Sequence, residues 1–273
     1  MMSILVDPSA RPVIAHRGNS AQRPENTVMA VRSGIDLGAD AVEFDVRVSA
    51  DGRVVAFHDA TLERTTNGTG PVARQPLREL RALDAGFGFT PDGGRSHPWR
   101  GRGIGIPTLE EMLEAIGDMP FILELKVADA VTESLRLIRR FGAEHRCVIG
   151  SFTDAALLPF RAAGLATGAS TTEMRRLKLR TLLPGGPATL PFHACIIPSQ
   201  YAGRSLPVRR FAKMGRKAGI PTHVWTVDDP LEAQRFWAGG VNGILSNDPA
   251  AILAAAGRPV RVPVPTLERV SNG

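Results

Sequence analysis

The chain has 273 residues, 43% hydrophobic and 5% aromatic, with 22% charged side chains and a net charge of +6. That is enough apolar material for one large domain with a sizeable core, or for two small ones. No run of about 18 apolar residues is present, which excludes a membrane-spanning helix from these residues, and the scarcity of aromatics argues against a stacking platform for single-stranded nucleic acid.

Short β-rich runs alternate with helical patterns. The first run, 12–17, reads Val13-Ile14-Ala15-His16-Arg17-Gly18 and leads to a helix over about 26–38, which Asn26-Thr27 opens as a cap. Strands over 41–48 and 53–58 follow. Ala50-Asp51-Gly52 between them is turn chemistry, so 53–58 is expected as the second arm of a hairpin. Residues 59–107 are irregular and rich in glycine, with one helical pattern at 76–84. So long an insertion suggests a lid or flap in which Phe87, Phe89 and Trp99 face a substrate or anchor the loop.

Beyond it, the spacing predicts helices at 108–117, 129–142, 153–163, 173–182, 207–219, 230–238 and 248–256. Strands are expected at 120–126, 146–151, 165–170, 194–198, 221–227 and 242–246. Thr108-Leu109-Glu110-Glu111 has a cap residue with a glutamate three on. Asp248-Pro249 puts proline at a first helical position. Gly142 and Gly219 follow helices, where a left-handed residue is wanted. The tail, 258–273, has three prolines and no clear period, and is expected to be extended or partly disordered.

Strand–helix alternation implies a parallel sheet with helices outside it. Eight or nine such units point to a closed α/β barrel in one domain over 1–257, with an insertion at about 59–107 after the second barrel strand. No glycine fingerprint for a dinucleotide follows a strand, and no lysine-containing phosphate loop appears. Cys147 and Cys195 sit in apolar runs and read as small buried hydrophobes. The segment Met1 to Arg11 lacks a charged-then-apolar secretion pattern, so a cytoplasmic protein is expected. Much of the basic excess lies in Arg175-Arg176-Leu177-Lys178-Leu179-Arg180 and in Arg209-Arg210 through Lys217. Both have helical spacing and read as solvated helix faces, and no nucleic-acid-binding motif accompanies them.

In a parallel barrel the chemistry gathers at the carboxyl ends of the strands. Side chains two apart on a strand share a face, so Glu43 and Asp45 point together, as do Glu124 and Lys126. Three converging carboxylates repel unless positive charge lies between them. A hard cation such as Mg²⁺ or Ca²⁺ would serve, and so would salt bridges to Lys126, Arg17 or Arg47. His16 and His58 each end an apolar run, and together they suggest a general acid and a general base. Arg17 offers a fork that matches phosphate, and Lys126 a point charge.

Taken together, His16-Arg17-Gly18, Pro24-Glu25-Asn26-Thr27, Glu43-x-Asp45, His58-Asp59, Glu124-x-Lys126, Val224-Trp225-Thr226-Val227 and Gly243 to Pro249 resemble the glycerophosphodiester phosphodiesterases, in the family's order and over about residues 12–256. Ser246 stands where threonine is more usual. The resemblance implies a (β/α)8 TIM barrel, a divalent metal cation, and hydrolysis of glycerophosphodiesters to glycerol 3-phosphate and an alcohol. By position, Glu43, Asp45 and Glu124 match the metal ligands and His16 and His58 the acid/base pair. Arg17 and Lys126 match the phosphate contacts, and Trp225 lines the mouth, although plain barrel packing also explains it. The implied partner is a small-molecule glycerophosphodiester, with at most weak contact to a membrane surface. Two rivals stand: a lysophospholipase D acting on lipid diesters, and a catalytically silent barrel that binds a phosphorylated ligand.

Overall fold

The computed structural model describes residues 3–180, 190–201 and 203–261. In chain order the elements are β1 (Val13–His16), α1 (Val28–Leu37), β2 (Ala41–Val48), β3 (Val54–Ala56), α2 (Leu77–Arg81), α3 (Leu109–Ile116), β4 (Phe121–Leu125), α4 (Val131–Arg140), β5 (Cys147–Gly150), α5 (Asp154–Ala162), α6 (Thr171–Arg180), β6 (Cys195–Pro198), β7 (Gln200–Tyr201), β8 (Arg204–Ser205), α7 (Val208–Lys217), β9 (Thr222–Trp225), α8 (Pro230–Ala238), β10 (Gly243–Ser246) and α9 (Pro249–Ala255). The parallel sheet runs β5-β4-β2-β1-β10-β9-β6, with β3 antiparallel on β2 as the hairpin arm.

Parallel bridges from Ile149 to Thr167 and from Gly168 to Ala194 complete the ring. The segment around Thr167 therefore acts as the fifth of eight strands, although it forms no regular ladder. Side chains take over part of that task. Arg161 donates to Thr167 Oγ1 and to the Gly168 carbonyl, and it pairs in a bidentate fashion with buried Glu173. Expected strand 165–170 is thus present as a barrel stave held by α5 and α6.

Strand parity decides what fills the barrel. Val42, Phe44 and Val46 point outward and pack with Phe121, Leu123 and Leu125 under α3 and α4. Phe44 and Phe121, both fully buried, stack with ring centroids 5.7 Å apart; burying each contributes roughly 2–3 kcal/mol. The opposite parity sends Ile14, Ala41, Ile122, Val148 and Leu245 into the barrel, with Leu5 of the N-terminal segment as a plug. Fully buried His223 holds that plug by donating from Nε2 to the Leu5 carbonyl. Continuing the inward parity toward the strand ends gives His16, Glu43, Asp45, Glu124 and Trp225. The register sets Asp45 opposite Glu124 and His16 opposite Glu43.

The expected helix starts at 108 and 248 are present: Thr108 and Glu111 form a reciprocal capping box, and Asp248 caps α9 with Pro249 in its first turn. Gly142 and Gly219 adopt φ of 58° and 70° after α4 and α7. The helical pattern at 76–84 is shorter than expected, Leu77–Arg81, and the β7–β8 hairpin was not anticipated. Residues of 59–107 form a small core of their own on Val55 and Phe57, through Leu62, Val72, Leu80, Ala85, Ile104 and Ile106. Trp99 anchors that segment, with its indole N–H donating to the Gln22 carbonyl and the Arg23 guanidinium over its ring. At the start of the tail, Arg258 pairs with Asp40 and the Arg261 N–H donates to the Leu37 carbonyl. The rest of the expected tail lies outside the described residues. Among the described residues, no helix is long and apolar enough to cross a membrane.

Candidate active site

His16 ends β1, and the chain turns there through two left-handed residues, Arg17 at φ 55° and Gly18 at φ 81°. A Cβ on Gly18 would stand 2.3 Å from the Ala30 carbonyl carbon, so only glycine lets α1 come this close. The turn brings Arg17, which a straight strand would send outward, back over the mouth. Its backbone N–H donates to Glu43 Oε2 at 3.0 Å, and its Nη1 to Glu25 Oε1 at 2.9 Å. Its Nε lies 3.2 Å from Asp45 Oδ2 without the alignment of a hydrogen bond.

Glu43, Asp45 and Glu124 offer carboxylate oxygens within 4.8 Å of one another. Lys126 lies over them, with Nζ 2.9 Å from Asp45 Oδ1 and paired with Glu124. Burial by itself would raise the Asp45 pKa, but the charges of Lys126, Arg17 and His58 outweigh it and hold the group at about 2. Glu43 behaves oppositely. It is 3% exposed, and burial together with the Asp45 and Glu124 charges pushes its pKa well above the usual range. Burial and Asp45 raise Glu124 as well.

These oxygens fit a divalent cation. Arg17 and Lys126 together carry two positive charges against these three carboxylates. Among the described residues, Glu43 receives only a backbone N–H and the approach of His16 Nε2 at 3.8 Å. An all-oxygen set short of positive charge suits a hard ion such as Mg²⁺ or Ca²⁺.

His16 Nδ1 lies 2.8 Å from Asn247 Oδ1, and His58 Nδ1 lies 2.6 Å from Asp59 Oδ1. Both rings therefore keep Nε2 for other work. Burial and the Arg17 charge lower the His16 pKa to about 4, so the ring is neutral near pH 7. His58 is also lowered, by burial first and then by Arg17 and Lys126, while Asp45 and Asp59 oppose the shift. His16, Glu43, Glu124, Phe152 and Trp225 line an open cavity floored by Ile122, Ile196 and Leu245. Trp225 stacks beside His16 with ring planes 16° apart. His58 lines a smaller adjoining hollow with Glu25 and Asn26. Seven of the eight residues singled out in the sequence thus gather around the carboxylate cluster, and His58 faces the neighbouring hollow, near enough for the Asp45, Arg17 and Lys126 charges to act on it.

Several neighbours were not foreseen. Of the pair Asn26-Thr27 expected to cap α1, Thr27 does so, its Oγ1 accepting from the Ala30 N–H. Asn26 instead sits at φ 56° and clasps Asp45: Nδ2 donates to Asp45 Oδ2, and Oδ1 accepts from the Asp45 N–H, both at 3.0 Å. Glu25 and Asp59 are joined by Arg64 from the insertion. Arg64 donates to both oxygens of Glu25 and to Asp59 Oδ2. A continuous chain Arg17–Glu25–Arg64–Asp59–His58 results. Pairs separated by tens of residues leave no local pattern, so no sequence signal marked Arg64. His97, His145 and His193 are not among the residues that line these two hollows.

The family model described as the glycerophosphoryl diester phosphodiesterase family matches residues 16–251. A glycerophosphodiester phosphodiesterase of Caldanaerobacter subterraneus subsp. tengcongensis is 32% identical over 254 residues, covering 88% of this chain and 96% of the relative. Among solved structures, an Oleispira antarctica phosphodiesterase in complex with the product sn-glycerol-3-phosphate is 28% identical with a TM-score of 0.73, over 91% of this chain and 97% of that one. A glycerophosphodiester phosphodiesterase from Agrobacterium tumefaciens is also 28% identical, with a TM-score of 0.72, over 89% and 99%.

Proposed function

Because the chain belongs to the glycerophosphoryl diester phosphodiesterase family and is a phosphoric diester hydrolase, we propose that it cleaves glycerophosphodiesters to glycerol 3-phosphate and an alcohol, with His16 and His58 as its proton-transfer pair. The observation that carries this reading is the meeting of two buried carboxylates and a part-buried third, two cationic side chains and two histidines with available Nε2 atoms around one barrel mouth.

Glu43, Asp45 and Glu124 would hold a divalent cation. Bound there, it supplies Lewis-acid stabilisation of the charge that builds on the phosphoryl oxygens. Arg17 presents a guanidinium whose Nη2 has no protein acceptor among the described residues, suited to a free phosphate oxygen. Lys126 adds a second positive charge. His16 is the base: its ring is neutral, and Nε2 takes the proton of the attacking hydroxyl, which is either water, giving glycerol 3-phosphate at once, or the glycerol's neighbouring hydroxyl, giving a cyclic phosphate that a water then opens to glycerol 3-phosphate. As the new phosphorus–oxygen bond forms, the bond to the departing alcohol breaks. Its electron pair leaves with the alkoxide oxygen, which takes a proton from His58 Nε2. His58 suits that task better than His16 because its Nδ1–H rests on the Asp59 carboxylate, which stabilises an imidazolium. The Asn247 amide beside His16 is neutral.

One observation favours the lipid-diester rival. Phe152, 49% exposed, lines the cavity beside Trp225 and would accept an apolar substituent.

The test is glycerol 3-phosphate release from glycerophosphocholine by chelator-treated enzyme, before and after addition of Mg²⁺, Ca²⁺ or Mn²⁺. Release that depends on added cation and falls steeply in His16→Ala and His58→Ala supports the reading. Cation-independent release, or near-normal turnover in both variants, overturns it. Faster turnover of lysophosphatidylcholine would favour the lipid rival.

A further inference from the structure

His16 does not stand alone in the mouth. Its Nδ1 meets Asn247 Oδ1 at 2.8 Å, and that same oxygen accepts from the Ser20 hydroxyl at 2.9 Å. The amide nitrogen on the other side, Asn247 Nδ2, donates to Asp228 Oδ2 at 2.9 Å. Asp228 is fixed in turn. Its Oδ1 accepts from the Asn247 backbone N–H and from the fully buried Ser246 hydroxyl, both at 2.8 Å. Asn247 is also tied to the β1–α1 turn, because its carbonyl accepts from the Ala21 N–H.

The chemistry of these groups leaves one arrangement. An ionised carboxylate only accepts, so the amide nitrogen must face Asp228. The amide oxygen must then face His16, and an oxygen there requires a proton on Nδ1. In a neutral imidazole the other nitrogen is unprotonated. The exposed carboxylate of Asp228, two bonds removed from the ring, thus decides which ring nitrogen carries the lone pair.

We propose that Asp228 and Asn247 are positioning residues that lock His16 in the tautomer with Nε2 unprotonated and aimed into the mouth. The proposal rests on the reading of His16 as the base, but its physical core, the tautomer, can be observed without any turnover. The two residues come from the ends of β9 and β10, and so belong to neither histidine motif nor to the carboxylate cluster.

The polarity of the relay provides its own test. Asn247→Asp sets two carboxylates against each other and removes the donor to Asp228. Asp228→Asn sets two amides together, so that an N–H faces an N–H or the backbone donors of Asn247 lose an acceptor. The double variant Asp228→Asn with Asn247→Asp restores every contact with reversed polarity. The amide at 228 donates to the carboxylate at 247, which still accepts from His16 Nδ1 and Ser20.

Two measurements are made on the full chain. Heteronuclear NMR of ring-nitrogen-labelled histidine reports the tautomer, with the His16 signals assigned by their loss in His16→Gln. Steady-state kinetics on glycerophosphocholine with saturating divalent cation reports kcat and KM. The wild type should show one tautomer protonated at Nδ1. Asp228→Asn should show a mixed or reversed population and lose about tenfold or more in kcat with little change in KM, whereas Asn247→Asp, whose carboxylate still accepts from Nδ1, should keep the tautomer and lose kcat because it is repelled by Asp228. The double variant should regain both the single tautomer and most of kcat. An Asp228→Asn variant with an unchanged tautomer, or a double variant no better than the worse single, would overturn the relay. An inactive wild type that nevertheless shows the locked tautomer would defeat the proposed function and leave the relay standing. A Nε2-protonated wild-type ring would defeat the relay whatever the activity.

Discussion

Acidification should unfold this barrel partly through His223, a histidine without catalytic work. Its ring is fully buried between Gly243, where a Cβ would come within 2.3 Å of Nδ1, and the Leu5 carbonyl that accepts from Nε2. Among the described residues Nδ1 has no partner, so a second proton would be buried without an acceptor. Burial accordingly lowers its pKa from 6.5 to about 4, against the weaker opposing effect of the Leu5 hydrogen bond. The sign follows from linkage: between those values the unfolded chain holds the proton and the folded chain does not. Stability is therefore complete above the unfolded value and falls as pH drops toward 4. Integrating from about pH 7.5 to about pH 4.5 gives a loss of about 2.5 kcal/mol from this one residue. His16, also lowered to about 4, adds a comparable loss, so the wild type alone does not isolate the effect. The informative comparison is with His223→Gln, whose amide can still reach Leu5 but does not titrate. Denaturant unfolding of both proteins at the two pH values should show a pH-dependent loss smaller by about 2.5 kcal/mol in the variant. Equal losses in the two proteins would refute the reasoning.

Three further outcomes follow from the geometry. Arg161→Ala leaves Glu173 buried without its partner and releases the Thr167 stave, so it should cost about 3–5 kcal/mol in denaturant unfolding. Asn26→Ala removes both contacts that clasp Asp45, and should weaken divalent-cation binding by about 10- to 100-fold in calorimetry. Arg64→Ala cuts the chain between Glu25 and Asp59. The side chain is half exposed, so the melting temperature should hardly change, while kcat falls by about tenfold.

What the sequence revealed has a physical basis. Glu43 with Asp45, and Glu124 with Lys126, were readable because strand side chains alternate with a period of two. The histidines were readable because each ends an apolar run, and parallel strands deliver such ends to one face. The stave around Thr167 was harder, since its hydrogen bonds are shared with the side chains of Arg161 and His193 rather than held in a ladder. The residues that hold the site were not readable. Asn26 looked like a cap because asparagine often is one, and its left-handed backbone exists only because Asp45 rewards it with two hydrogen bonds. Arg64, Asp228 and Asn247 act on partners up to 231 positions away, and no local pattern encodes such pairings.

The most direct test of the site is crystallographic. Crystals grown with Mn²⁺ and glycerol 3-phosphate, measured at the manganese edge, should show an anomalous peak among the Glu43, Asp45 and Glu124 carboxylates. The phosphate should lie against it, within hydrogen-bonding reach of both His16 Nε2 and His58 Nε2. A peak elsewhere, or a phosphate that reaches neither imidazole, would contradict the assignment of these residues to one centre.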